Sequence, residues 1–320
     1  MRISRYESEG AIHFGFYFDH FVVNVESAAL ACSTATESTV TLSNVTCILD
    51  LLPPSGKLLP EAVTVWLWLT ENLNQVDELK TDCREIQMLV PLPRPNKLLL
   101  LAGNYSAHVQ EGGEPPIERA ETFPYVFMKP ASTTLTHPGT AIQIPLVSPN
   151  NLDWELELAV VIGRRGKHIT QADAVQYIAG YTIINDISDR DYRPFPDRKE
   201  RSRDRFFDWM HGKWHDGSCP CGPCIATPMS IPDPQILDLK LFLNGNLRQD
   251  SNTSQQVFPI TAVIEFLSQS MTLEPGDIIS TGTPAGVGKT TNTFLSEGDI
   301  LQASISKIGT LETPVTLESG

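Results

Sequence analysis

Residues 153–163, Asp-Trp-Glu-Leu-Glu-Leu-Ala-Val-Val-Ile-Gly, set the tightest limit on how this chain folds. The aliphatic run predicts a strand. Its second half, residues 159–162, is apolar throughout, so both faces there are covered. In a strand, i and i+2 point the same way, which sends Glu155 and Glu157 to one side and Leu156, Leu158 and Val160 to the other. A second apolar run, residues 180–186, also ends in an acid, Asp186. Like carboxylates crowded into an apolar setting are costly unless a cation neutralises them. Three hard oxygen ligands, with room for water and substrate, suit Mg²⁺ or Mn²⁺ better than zinc. A solvated strand face also yields Glu-x-Glu, but the apolar continuation through Val161 and Ile162 argues against it.

Length and charge narrow the class of partner. With 320 residues the chain holds one large domain or two unequal ones. Its net charge of -14, with no basic stripe, argues against nucleic acid. An anionic substrate would therefore be drawn by a metal and a few local Arg or Lys. No apolar run reaches the ~18 residues that span a membrane. The first residues lack the apolar stretch of a signal peptide, so a cytoplasmic protein is expected. Of six cysteines, three cluster as Cys219, Cys221 and Cys224. Their spacing, with prolines between, is not a standard zinc knuckle, and they are expected to be packed thiols.

Residues 91–95, Pro-Leu-Pro-Arg-Pro, look like a stiff linker. It separates a small N-terminal domain, residues 1–95, from a second domain, residues 96–320. Beyond it strand signals dominate, and a mostly β domain with a few covering helices is expected. One helix is predicted from the Thr170 cap towards Gly180, with Ala172, Val175 and Ala179 on one face. Another is predicted over 261–270. Asn244-Gly245 marks a hairpin.

His108 and Glu111 stand i, i+3. On one helical turn the carboxylate can orient the imidazole as a base, and the Gly112-Gly113-Glu114-Pro115-Pro116 segment after it reads as a lid hinge. A surface ion pair has the same spacing. Lys129, at the end of an aromatic run, either snorkels to solvent or faces a polar site. Residues 283–290 tempt one towards a phosphate loop. The required glycine is one place off, at 282, and no long helix follows, so nucleotide binding is not expected.

The ordered set resembles the fumarylacetoacetate hydrolase family over roughly residues 97–317. It comprises Gly-Asn-Tyr-x-x-His-x-x-Glu at 103–111, Lys129, Glu-x-Glu-Leu at 155–158, and Gly-Tyr-x-x-x-Asn-Asp-x-Ser-x-Arg-Asp at 180–191. Lys213, Gly222-Pro223, Asn244-Gly245 and the glycine-rich stretch 276–288 complete it. The resemblance implies an α+β, mainly β, mixed β-sandwich roll, usually a homodimer. It implies a Mg²⁺ or Mn²⁺ ion on Glu155, Glu157 and Asp186, and a His108–Glu111 dyad on a short lid. Lys129 and Lys213 would act as catalytic cations, and Tyr105, Arg190 and Thr283 would bind substrate. The implied activity is cleavage of a C–C bond in an acylpyruvate-type 1,3-dicarbonyl acid. Decarboxylation, hydration or isomerisation of a 2-oxo acid is the alternative. Two features depart from the pattern. Arg193 stands where members often carry Gln, and a polar stretch at 196–205 looks inserted. Arg193 is expected either to bind a second substrate carboxylate or to pair with Asp189 or Asp191.

Overall fold

A computed structural model describes residues 1–113, 115–116 and 118–319. In chain order, the elements that build the site and its supports begin with β1 (Arg2–Ser8), α1 (Val25–Thr36), α2 (Leu59–Asn72), β2 (Leu98–Ala102), α3 (Ser106–Glu111) and β3 (Tyr125–Met128). There follow β4 (Leu156–Ile162), β5 (Ile178–Asn185), α4 (Asp204–His211), β6 (Cys219–Ala226), β7 (Asp238–Leu243) and β8 (Asn246–Asn252). The chain ends with α5 (Ile260–Ser270), β9 (Ile278–Ser280), β10 (Ile300–Ile305) and β11 (Gly309–Leu317).

Among the described residues, 12 strands form one sheet. Its path β1-β6-β5-β4-β9-β2-β3 is extended beyond β1 by Ala11–Tyr17, Phe21–Asn24 and Lys80–Asp82. A 5-stranded sheet, β8-β7-β10-β11 with Ile142–Ile144, packs on it, giving the expected α+β, mainly β, sandwich. Leu156, Leu158 and Val160 share a core with Leu239, Leu241 and Leu301 of the smaller sheet. Ala159 and Val161, on the opposite face, join Ala28 and Val65 of α1 and α2. Both faces of the second half of β4 are therefore dry, which is why residues 159–162 show no polar alternation. Residues before and after the 91–95 linker share the large sheet, because β1 pairs with β6 (Ile3 opposite Ile225).

The β7–β8 hairpin turns at Asn244 and Gly245, with φ of 50° and 75°, the pair of positive values a type I′ turn demands. Helix α5 lies where expected. The helix expected from Thr170 to Gly180 does not form. The Thr170 hydroxyl does accept the Asp173 N–H at 3.2 Å, but only the 3₁₀ turn Ala174–Tyr177 follows. Residues from Ile178 on are drawn into the buried strand β5, and Gly180 sits so close to β6 that a Cβ would lie 2.6 Å from the Ala226 carbonyl. Sheet pairing here outweighs a cap worth ~1 kcal/mol. Cys219, Cys221 and Cys224 are free buried thiols in β6. Of the expected lid hinge, Glu114 lies outside the described residues.

Candidate metal centre

Antiparallel pairing sets Leu156 opposite Asn185, so Glu155 and Asp186 meet at one end of β4 and β5. The backbone clamps that corner. The Asp186 N–H donates to the Glu155 carbonyl at 2.8 Å, and the Glu155 N–H donates to Asn185 Oδ1 at 2.9 Å. Carboxylate oxygens of Glu155, Glu157 and Asp186 all lie within 4.8 Å of one another, and all three residues are buried.

The charges around them decide what the cluster holds. Lys213 Nζ donates to Glu155 Oε2 at 2.8 Å and to Asp186 Oδ2 at 2.6 Å. Lys129 Nζ donates to Asp186 Oδ1 at 2.7 Å and to the carbonyls of Ile187 and Ser218 at 3.0 and 2.8 Å. Arg190 bridges Glu155 Oε1 at 2.7 Å and Asp153 Oδ2 at 2.8 Å. Four carboxylates thus face three cations, and Glu157 is the one left over. Its Oε2 accepts the Gly282 N–H at 2.9 Å, while among the described residues its buried Oε1 has no cationic partner, only the Ser280 hydroxyl near it. Burial, then the charges of Asp186 and Glu155, push the Glu157 carboxyl well above the usual range. Burial opposes ionisation of Glu155 too, but Lys213 and Arg190 outweigh it and hold that carboxyl well below the usual range. A buried carboxylate oxygen with no cationic partner, beside two more carboxylates, fits a hard divalent cation. With only oxygen donors in the set, that cation is Mg²⁺ or Mn²⁺.

The glycine-rich stretch that resembled a phosphate loop is a cradle for carboxylates. The Gly282 N–H serves Glu157, the Gly286 N–H reaches Glu111 Oε2 at 3.0 Å, and the Gly288 N–H reaches Asp153 Oδ1 at 2.7 Å. Backbone donors to carboxylates are charge-assisted and strong. At Gly286, φ is +101° and a Cβ would lie 2.1 Å from the Arg248 carbonyl, so only glycine fits.

Through Gly286 the loop also fixes the dyad. His108 Nδ1 lies 2.8 Å from Glu111 Oε1 on helix α3. A carboxylate only accepts, so Nδ1 carries the proton and Nε2 is left as the basic nitrogen. His108 lines a cavity of about 80 Å³ together with Glu155, Arg190, Lys213, Thr283 and Trp209.

The structure thus gathers the three carboxylates, His108, Glu111, Arg190, Lys213 and Thr283 into one site. The other expected residues sit differently. Lys129 is buried but spends all three ammonium protons on Asp186 and two carbonyls. Tyr105 is buried, its hydroxyl accepting from Gln256 at 3.3 Å. Arg193 is 56% exposed and pairs with Asp191 at 2.9 Å, the local alternative weighed for it. Four contributors escape sequence reading. Asp153 holds Arg190 and the loop end. Gln249 donates to the Thr283 hydroxyl at 2.8 Å and locks it. Phe127 and Trp209 wall the cavity. Asp153 alone left a trace, an acid heading a strand with no apolar partner pattern.

Comparison with known proteins identifies the family and the fold. The fumarylacetoacetate (FAA) hydrolase C-terminal family model matches residues 97–316. A mitochondrial oxaloacetate tautomerase of Bos taurus, FAHD2B, is 40% identical over 229 residues, 71% of this chain and 68% of that protein. A fumarylacetoacetate hydrolase of Exiguobacterium antarcticum superposes with a TM-score of 0.74 at 26% identity, covering 99% of this chain and 100% of that one. A maleylpyruvate hydrolase of Sphingobium superposes with a TM-score of 0.71 at 25% identity, covering 99% and 100%. With residues 97–316 matched by the family model, the chain belongs to the fumarylacetoacetate hydrolase family.

Proposed function

We propose that this protein is a divalent-metal-dependent hydrolase that cleaves a C–C bond in an acylpyruvate-type 1,3-dicarbonyl acid. The observation that carries this reading is the His108–Glu111 dyad, anchored to Gly286 and lining the same cavity as Glu155, Arg190 and Lys213. Glu155, Glu157 and Asp186 would hold Mg²⁺ or Mn²⁺, and that ion, when bound, supplies an electrophile for the 2-oxo acid end of the substrate.

The remaining roles fall to the chain itself. Arg190 is anchored through two nitrogens, and its buried Nη2 has no partner among the described residues, so it can donate to a substrate carboxylate. His108 Nε2 takes a proton from water as the water oxygen bonds to the distal carbonyl carbon. Glu111 stabilises the imidazolium that results. The C–C bond then breaks, its electron pair passing to the pyruvate half, and His108 returns the proton to the methylene carbon. A carboxylate and pyruvate leave. Lys213 uses two of its protons on Glu155 and Asp186, and the third is available to a developing oxyanion. Lys129 serves as a positioning residue for Asp186. The test is turnover of acetylpyruvate, oxaloacetate and an unsaturated 2-oxo acid with Mg²⁺, Mn²⁺ or chelator. Release of pyruvate and acetate from acetylpyruvate alone supports the reading, and no release under any metal refutes it.

A second reading is isomerisation of a 2-oxo acid such as oxaloacetate, favoured by the 40% identity to a protein named an oxaloacetate tautomerase. There His108 would shuttle a proton without water attack, and enol disappearance without C–C cleavage would distinguish it. The proposal includes a small anionic substrate, a homodimer and a cytoplasmic setting. No helix of the described residues is long and apolar enough to cross a membrane. It also includes a small N-terminal domain, residues 1–95, supporting a catalytic domain, residues 96–320.

A further inference from the structure

Against the metal centre lies a second, much larger recess. It measures about 640 Å³ and is lined by Phe123, Tyr125, Phe127, Phe206, Trp209 and Phe266, with no charged side chain among the described residues that line it. Its rings touch in two sets. Phe123 meets Tyr125 and Phe266 at centroid distances of 5.5 and 6.1 Å, and Trp209 meets Phe127 and Phe206 at 5.1 and 5.8 Å. Four of these rings remain well exposed: Phe123 59%, Tyr125 62%, Phe206 55% and Phe266 39%. Exposed aromatic rings around one recess make it a candidate binding surface.

Its position names the ligand. Ala102, Phe127 and Trp209 line both this groove and the small cavity of the metal centre. Lys213 Nζ, bonded to two of the metal-centre carboxylates, sits 5.3 Å from the Phe127 ring centroid and 6.0 Å from that of Trp209. One aromatic pair therefore separates the charged site from the groove. The cavity of about 80 Å³ is far below the ~300 Å³ at which pockets start to enclose whole ligands, and the groove is well above it. A 2-oxo acid head fits the first, and the rest of a longer substrate would reach the second past the Phe127 and Trp209 rings. Among the described lining residues a distal carboxylate would find no cation, and the Arg193 guanidinium is paired with Asp191.

We propose that this groove is the subsite for the substrate's distal acyl group, and that the enzyme prefers acylpyruvates carrying an aromatic or long aliphatic group over short or dianionic ones. This rests on the acylpyruvate reading above, and the experiment separates the two. Calorimetry on the Mn²⁺-loaded protein would compare 2-oxobutanoate with 4-phenyl-2-oxobutanoate, and turnover would compare acetylpyruvate with benzoylpyruvate. A single methylene in an apolar pocket is worth about 10-fold or more, so at least about tenfold tighter binding is expected for the phenyl ligand. Phe206→Ala and Phe266→Ala, both at exposed positions outside the catalytic set, should each weaken the phenyl ligand about fivefold and leave 2-oxobutanoate unchanged. Equal affinity for the two ligands, or equal loss of both in the variants, would overturn the proposal. So would a loss of dimer mass in sedimentation for Phe206→Ala without any ligand preference, since a second copy would then fill the groove. A phenyl preference in binding with no acylpyruvate cleaved would leave the groove standing and remove the hydrolase reading.

Discussion

Glu157→Gln isolates the charge that a metal has to neutralise. In the metal-free protein Asp153, Glu155 and Asp186 each have a cationic partner, while the Glu157 Oε1 is buried with none. Glutamine keeps the volume and can still accept the Gly282 N–H. Its amide can donate towards the neighbouring carboxylates within 4.8 Å. An unsatisfied buried polar group costs about 1–3 kcal/mol. Because burial and like charges already push Glu157 towards its neutral form, the relief lies at the low end, about 1 kcal/mol. For a chain of this size that raises the metal-free Tm by about 2 °C. Metal works the other way. At a hundred times its Kd, Mn²⁺ stabilises the wild type by about 2.7 kcal/mol, or about 5 °C. A neutral amide in place of one of three carboxylates should cut that shift to below about 1 °C. Differential scanning calorimetry of both proteins, with Mn²⁺ and with chelator, reads both numbers. The variant should be the more stable protein in chelator and the less stable one in Mn²⁺. A variant that keeps the full Mn²⁺ shift removes Glu157 from the ligand set. One that melts several degrees below wild type in chelator shows that Glu157 is not an excess charge.

Three other substitutions test the roles around it. His108→Ala should lower kcat by about 10²–10⁴-fold with the Mn²⁺ shift intact; unchanged kcat would reduce the dyad to a surface pair. Asp153→Asn weakens the grip on Arg190 Nε and on the Gly288 and Lys289 N–H groups. Its KM should rise about tenfold as a charge-assisted contact to the substrate loosens, with kcat little changed, and an unaltered KM would dismiss Asp153 as a positioning residue. Arg193→Gln removes only an exposed pair with Asp191, worth at most ~1 kcal/mol. It should leave kcat/KM within about twofold for monocarboxylates and dicarboxylates alike, and a selective loss on dicarboxylates would restore Arg193 to the substrate site.

The carboxylate cluster was legible in the sequence because the reasons for it are local. Strand parity aligned Glu155 with Glu157, an apolar run excluded water, and a second run ended in Asp186 where pairing brought it alongside. The 244–245 hairpin and helix α5 were legible for the same reason: turn chemistry and periodicity act within a few residues. The helix expected from Thr170 failed because its competitor was a distant one. Strand β4 pairs with Ile178 and Gly180, β6 pairs from Tyr181 on, and a cap cannot see them. The carboxylate cradle, the three acceptors that occupy Lys129, and the 12-stranded sheet joining β1 to β6 likewise depend on partners far along the chain. So does the aromatic groove, whose rings come from residues 123–127, 206–209 and 266. Sequence spacing determined which charges needed a cation. Only tertiary packing decided which of them already had one, and left Glu157 without.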